Sequence, residues 1–334
     1  AMGYYALSAD TLGSRSTALG YYALAAQNFT TATDSYNTAV GFAAGERVTF
    51  GTVNTLIGGL AGDALTEGNN NVVVGFTALG VDTKGDRNVA IGSAALATQN
   101  FTTSTDSYNT AVGHNAGNAV TTGIENTFVG GLCGDATDDG AENTAVGSSA
   151  LSANCGNNNT AMGRRALRDC TGADNTSLGH QSGLVLTSGT DNTFVGKSAG
   201  DATDDGVGNV AVGYYALGGN CGDANVAVGH SALLTVTGTQ NTCVGTNAGY
   251  AVTSGGNNLF LGLDSGRTGS PGGNITTGSN EIVLGDENIT ESHIQVDWTI
   301  ASDERDKTDF TALDVGLDFV NALAPVTYKW DKRS

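Results

Sequence analysis

Apolar positions in this chain come in short runs, each opened by a polar residue and closed by a glycine. Asn37-Thr-Ala-Val-Gly41, Asn71-Val-Val-Val-Gly75 and Asn88-Val-Ala-Ile-Gly92 are representative. Brief β-branched runs bounded by turn formers predict strands. The closing glycine recurs seventeen times, from Gly3 to Gly285. Successive glycines lie sixteen or seventeen positions apart, as at Gly58, Gly75 and Gly92. Three steps are longer: Gly20 to Gly41, Gly92 to Gly113 and Gly262 to Gly285. From Gly41 to Gly262 every glycine has an asparagine four places ahead of it: Asn37, Asn54, Asn71, Asn88, Asn109, Asn126, Asn143, Asn159, Asn175, Asn192, Asn209, Asn225, Asn241 and Asn258. Self-similarity at a fixed spacing marks a repeat architecture.

A longer period lies above the short one. Gln27 to Val40 returns almost letter for letter at Gln99 to Val112, and Asp135 to Gly140 returns at Asp201 to Gly206. Both intervals span four units. The residue four places after the motif glycine follows the same cycle: Gly45 and Gly62, then Leu79 and Leu96. The chain is built by duplicating blocks of four units.

Helical repeats need about 33 residues or more and leucine-rich repeats about 20–29, so a unit as short as Gly58 to Gly75 excludes both. Two short strands and two turns fill it, which predicts an all-β, parallel β-solenoid or β-roll. One unit makes one rung, stacked ~4.8 Å from the next, and the rungs together make a rod of roughly 80 Å. The asparagines are expected to stack as a structural amide ladder, each bonded to its neighbour. The motif glycine supplies a positive φ or a close backbone approach. Ala and Val are expected to fill a core one side chain wide. The long steps are expected to bulge as loops at Asn28 to Ser35 and Asn100 to Ser107.

Composition narrows the class. Of 334 residues 50 are Gly and 2 are Pro. That proline content excludes a collagen helix, and it suits strands hydrogen-bonded on both sides. A formal charge of −19, from 33 acids against 14 bases, is the wrong sign for neutralising phosphates, so no nucleic-acid partner is expected. No apolar run approaches the ~20 residues of a membrane span, so membrane insertion is not expected.

The units resemble the head repeats of trimeric autotransporter adhesins, the YadA-like heads, with Asn88-Val-Ala-Ile-Gly92 and Asn225-Val-Ala-Val-Gly229 nearest in pattern. This resemblance covers residues 1–265 and implies a left-handed, trimeric parallel β-roll. A second resemblance begins at Ala301-Ser-Asp-Glu-Arg-Asp-Lys307, continues through Leu313 to Leu323 and ends at Pro325-Val-Thr-Tyr-Lys-Trp330. It is similar to the start of the intramolecular chaperone domain classed as peptidase family S74, found at the ends of phage tail fibres and tailspikes. A helix over Ala312 to Leu323 and a strand over Pro325 to Trp330 are expected there. The family's Ser-Asp-x-Arg-x-Lys signature falls on Ser302, Asp303, Arg305 and Lys307. The resemblance implies that the domain trimerises the fibre during folding and then cuts itself off, with Ser302 and Lys307 as the catalytic pair and Ser302–Asp303 as the bond cut. A desolvated lysine amine can activate a serine hydroxyl that is otherwise a poor nucleophile. This is one turnover in cis, not catalysis on an outside substrate.

Three domains are expected: the repeat shaft at 1–265, a neck of loop and strands at 266–300, and the beginning of the chaperone at 301–334. Ala1-Met-Gly3 matches Ala161-Met-Gly163, so Met2 is a rung residue and the natural protein is expected to extend upstream. The chain is likewise expected to stop inside the chaperone. Glu281 to Gly285 reads as one further rung, and Ile294 to Ile300 as a neck strand.

Other candidate chemistry is sparse. No cofactor is implied. The five cysteines form no Cys-x-x-Cys pattern. Cys155 and Cys170 should fall on adjacent rungs, where a disulfide or two reduced thiols both fit; Cys221 is expected to be unpaired. His114, His180 and His230 each follow a motif glycine on a different rung, so no metal site is expected. The Asp135, Asp138, Asp139 turn and its repeat at Asp201, Asp204, Asp205 match no EF-hand spacing and read as solvated. The pairs Tyr4-Tyr5, Tyr21-Tyr22 and Tyr214-Tyr215 could stack on sugars or pack at a trimer interface.

The expected protein is therefore a homotrimeric fibre of a phage tail, extracellular in the virion, that presents a host-receptor-binding surface. Its partners would be itself, other tail proteins and a host receptor, with glycan as one candidate. Alternatives are a bacterial surface adhesin and a tailspike carrying polysaccharide depolymerase activity. An ice-binding solenoid would need a flat Thr ladder, and the Thr positions follow the Asn that is expected at a buried edge.

Overall fold

The structure is a computed structural model that describes residues 1–295. Residues 1–289 form one compact unit. Sixteen three-residue strands, from Thr17–Leu19 to Ile282–Leu284, make one parallel sheet in chain order. Met2 extends it by a bridge to Leu19, so each of the seventeen motif glycines closes one rung. The fold is the expected all-β parallel solenoid, with no helix among the described residues. Register is one-to-one at every step: Ala111 faces Phe128, and Phe128 faces Ala145.

Each strand is three residues long for a simple reason. Alternation puts the middle residue inside and its two neighbours outside, and the motif glycine then ends the strand with φ between +131° and +148° from Gly3 to Gly245. A side chain is excluded there twice over, by that φ and by the neighbouring rung. A Cβ on Gly113 would collide with the Gly130 carbonyl.

Three expectations are corrected. Most rungs have one strand, not two; the remainder is a series of turns. The core is several side chains wide. Each full rung contributes its asparagine, the middle strand residue, the residues three and four after the glycine, and one from the far turn, as with Asn126, Phe128, Cys133, Gly134 and Thr137. The valines before the glycines, by contrast, point outward. The Thr column also lies on the outer face of the sheet, because Thr38, Thr110 and their equivalents flank the buried middle residue. The reason is the pleat: Asn and the middle residue share the inner face, and Thr between them must face out.

The four-unit cycle has a volumetric cause. Leu56, Phe128, Phe194 and Phe260, at four-rung intervals, are fully buried. Each large side chain occupies space that a glycine leaves open. A Cβ on Gly134 would stand 2.6 Å from the Phe128 ring, and one on Gly117 would stand 3.0 Å from it. Where the middle residue is Ala145 or Ala161, the same position holds Leu151 or Leu167, at φ +48°. The cost of a left-handed leucine, ~1–2 kcal/mol, is offset by filling the core.

The two long steps do not hang free. Thr33–Asp34 pairs with Gly13–Ser14, and Thr105–Asp106 pairs with Gly85–Asp86, as short parallel ladders. Phe29 and Phe101 are buried beneath them. Arg267 to Ser279 forms turns without strands, and Ile282–Leu284 then adds the last strand against Leu259–Leu261.

Candidate functional site

The asparagine column is the longest continuous polar feature. Its geometry is mixed: each side-chain oxygen accepts from the backbone N–H of the next rung's asparagine. This runs unbroken from Asn54 N–H on Asn37 Oδ1, 2.9 Å, to Asn258 N–H on Asn241 Oδ1, 3.2 Å. Most Nδ2 groups donate to a glycine carbonyl of the following rung, such as Asn126 to Gly140, 2.8 Å. Asn143 and Asn209 are exceptions whose Nδ2 atoms have no partner. Each precedes a rung that is one residue shorter. The glycine carbonyls of those rungs, Gly156 and Gly222, accept instead from Asn159 and Asn225 of their own rung, at 3.2 and 3.1 Å.

All five cysteines are free and buried, so Cys155 and Cys170 form no disulfide. They stand at different places in their rungs, eight and seven residues after the glycine. Cys155 Sγ turns to Thr137 Oγ1 of the preceding rung, 3.2 Å away, whereas Cys170 Sγ approaches the carbonyl of Gly172, at 3.7 Å. Cys221 repeats the first arrangement with Thr203, at 3.3 Å. Burial pushes the Cys133 and Cys170 thiols up to about 12, which removes the thiolate that reactivity requires.

A buried polar cluster anchors each long step, and neither cluster was foreseen. Asp82 accepts from Gln99 Nε2 at 2.6 Å and from the N–H groups of Phe101 and Gly85, each at 3.0 Å. Gln99 Oε1 accepts in turn from Asn109 Nδ2, 2.8 Å. Burial is the largest influence on the Asp82 carboxyl and raises it above the usual range. The earlier copy joins Gln27 to Asp10 at 2.6 Å and Asn37 to Gln27 at 2.9 Å. Outside each cluster an arginine pairs with the inserted strand: Arg87 with Asp106 at 2.6 Å, and Arg15 with Asp34 at 3.1 Å. Both guanidinium groups lie 5.3 Å from a tyrosine ring, Tyr108 and Tyr36. The signal in the sequence was the letter-for-letter return of the two long steps.

The exposed tyrosines stack on one another along the rung direction. Tyr4 and Tyr21 centroids are 5.6 Å apart, Tyr21 and Phe42 5.7 Å, and Tyr5 and Tyr22 5.1 Å. Tyr21 thus has a ring on each face, whereas Tyr4, Tyr5, Tyr22 and Phe42 are each stacked on one face. Tyr214 instead sits between Lys197, 5.4 Å from its centroid, and His230, at 5.1 Å. His114, His180 and His230 occupy separate rungs. No group of three or more His, Cys, Asp or Glu converges among the described residues. In the acidic turns, Asp138 and Asp204 accept from Thr121 and Thr187. A cleft beside the last rungs is lined by Tyr250, Asp264, Arg267, Asn274, Asp286 and Glu287. Asn247 and Arg267 donate to Asp264 and hold its carboxyl below the usual range. No serine or cysteine nucleophile lines the cleft.

Ser302, Asp303 and Lys307 lie outside the described residues, as do the expected chaperone helix and strand and residues 296–300 of the expected neck strand. Sequence comparison reaches this segment. Residues 302–334 match the family model described as Peptidase_S74, chaperone of endosialidase. That match implies trimer assembly and, at most, autoproteolysis. Together with the β-solenoid, it fits a trimeric protein of the tail-fibre or tailspike kind. No curated protein and no solved structure matches the chain.

Proposed function

We propose that this chain is a shaft segment of a homotrimeric phage tail fibre that carries a host-receptor-binding surface. The reading rests on one conjunction: a uniform parallel solenoid runs in the same chain as a chaperone-of-endosialidase segment. A solenoid rung contacts only its neighbours, so length is gained without new folding information. That suits a mechanical spacer. The YadA-like head is the repeat class to which we assign the rungs. The receptor is assigned to the host cell surface, with glycan as the candidate chemistry.

In this reading the segment from Ser302 onward aligns three chains while they fold and is then released by one cut at Ser302–Asp303. Ser302 supplies the hydroxyl, and Lys307 supplies a base once its amine is desolvated. The test is intact-mass analysis of the natural full-length protein after expression. A shaft fragment ending at Ser302 is expected, still trimeric by sedimentation, and Ser302→Ala or Lys307→Ala should leave the chain uncut. Normal cleavage in both variants would remove the assigned pair. A shaft that sediments as a folded monomer would remove the fibre reading itself.

A further inference from the structure

The outer face of the main sheet differs from the rest of the surface. The residue before the motif glycine is aliphatic in all seventeen rungs, from Met2 to Leu284, and the residue two places earlier is Thr, Val, Leu or Ile in all sixteen strands. Many of these side chains stand well out of the core; Leu178 is 48% exposed and Ile57 39%. The residue after each glycine continues the strip with aromatic, small or basic side chains such as Phe42, His114, Arg164 and Lys197. Through Leu263 none of these three columns holds an Asp or Glu, although the chain has 33 acids.

We infer that this acid-free strip is where three copies of the chain pack against one another, parallel and in register around a common axis. The inference deepens the trimeric reading above and rests on it. Three observations select a second copy as the occupant. The strip repeats at the rung spacing over the whole stack, so whatever covers it must carry the same ~4.8 Å period. A neighbouring copy of the chain has that period. The two strand columns measure roughly 77 Å by ~10 Å at that spacing, or about 800 Å² per protomer, divided in a trimer between two neighbours, so the column after the glycine is needed to carry each pairwise contact past the ~1,000 Å² expected of a specific interface. Finally, acids brought together along an axis would repel, and through Leu263 this strip omits them.

The experiment uses the whole chain in three forms. Val129→Glu with Val146→Glu places charges on adjacent rungs of the strip. Asp139→Lys with Asp205→Lys makes the same number of substitutions, with twice the total change of charge, on exposed turns elsewhere. A third form carries Ile91→Cys, and mild oxidation is then applied; the five native cysteines are buried. Sedimentation is expected to show the wild type and the lysine form as trimers, and the glutamate form as monomers with unchanged far-UV circular dichroism. The Ile91→Cys form should give interchain disulfides, whereas Asp139→Cys should not. If the glutamate form does not fold, the cysteine arm decides. A trimeric wild type whose glutamate form stays trimeric and whose Ile91→Cys form does not cross-link would overturn this assignment and leave the trimer standing. A wild type that is monomeric at all concentrations would overturn both; if it also shaped growing ice, the Thr and aliphatic columns would belong to an ice-binding face.

Discussion

Phe128 and Gly134 share one volume, and exchanging their sizes tests whether the four-rung period is a packing device. Phe128 is fully buried. Truncation to alanine should cost about 3–5 kcal/mol, the range for a buried phenylalanine whose surroundings relax only in part. Gly134→Leu alone must push the ring aside, since even its Cβ would sit 2.6 Å from Phe128. Overpacking contributes about 1–3 kcal/mol, and a leucine at the local φ of +59° adds ~1–2 kcal/mol. The double variant reproduces a combination the chain already uses, because Ala145 is paired with Leu151 at φ +48° in the next rung. The clash disappears and the leucine fills much of the cavity.

The two changes should therefore be coupled favourably by at least about 2 kcal/mol relative to their sum, within the range seen for contacting residues. Long repeat arrays do not unfold in one step, so the readout must be local. Cys133 serves, because it is buried in the same rung and beside the exchanged pair. Its alkylation rate, resolved by peptide mass spectrometry, reports opening of that rung. Additivity within about 0.5 kcal/mol would show that glycine stands there for backbone reasons alone and would refute the shared-volume argument.

Three further outcomes follow from the same geometry. Thiol titration of the native chain should find no rapidly reacting cysteine near neutral pH, because burial holds Cys133 and Cys170 at about 12; all five should react in denaturant. Asn126→Ala should destabilise more than Asn143→Ala, by about 1–2 kcal/mol, since only Asn126 uses its amide nitrogen; amide hydrogen exchange of the affected rung measures this locally, and equal shifts would contradict it. Burial raises the Asp82 carboxyl above its ordinary 3.8, so its contribution to stability is complete below that value and is lost as pH rises through the folded value. The penalty of Asp82→Asn, read from the amide-exchange protection of Gly85 and Phe101, whose N–H groups donate to Asp82, should then be larger in acid than at neutral pH, and a larger penalty at neutral pH would reverse the assigned sign.

The stacking direction, the rung boundaries and the place of each strand were legible because one glycine closes every strand and a β-solenoid reuses one cross-section. What lay hidden was the inside of that cross-section. Ala39-Val40 reads as an apolar pair, yet the pleat sends Ala39 inward and Val40 outward, and a three-residue strand is too short for alternation to declare which is which. Most far turns carry no strand, and their recurring glycines, as at Gly51, Gly68 and Gly85, mark the turn without showing which side chains meet there; Asp82 and Gln99 lie in them and meet only because stacking aligns adjacent rungs. The one-residue offset between Cys155 and Cys170 was visible, but the effect of that offset on the two sulfur directions was not. At the C-terminus the informative pattern was a short motif, and family comparison reaches it where spacing arguments do not.

The inner and outer strand positions obey different rules, and the difference bears on what the outer one is for. Inside, residue size follows the four-rung cycle: Leu56, Phe128, Phe194 and Phe260 return at fixed intervals, each set against glycines. A position whose only task is to complete its own chain's core should follow that cycle. The outer position does not: Val129, Val195 and Leu261 share rungs with the phenylalanines, and Val146 and Val212 share rungs with alanines. Neither does it drift toward polar residues, as an unconstrained exposed position would over seventeen rungs. Its constraint is thus constant from rung to rung and does not follow the chain's own core, which is the condition that the inferred neighbouring copy, equally periodic and packed along the sheet, would impose.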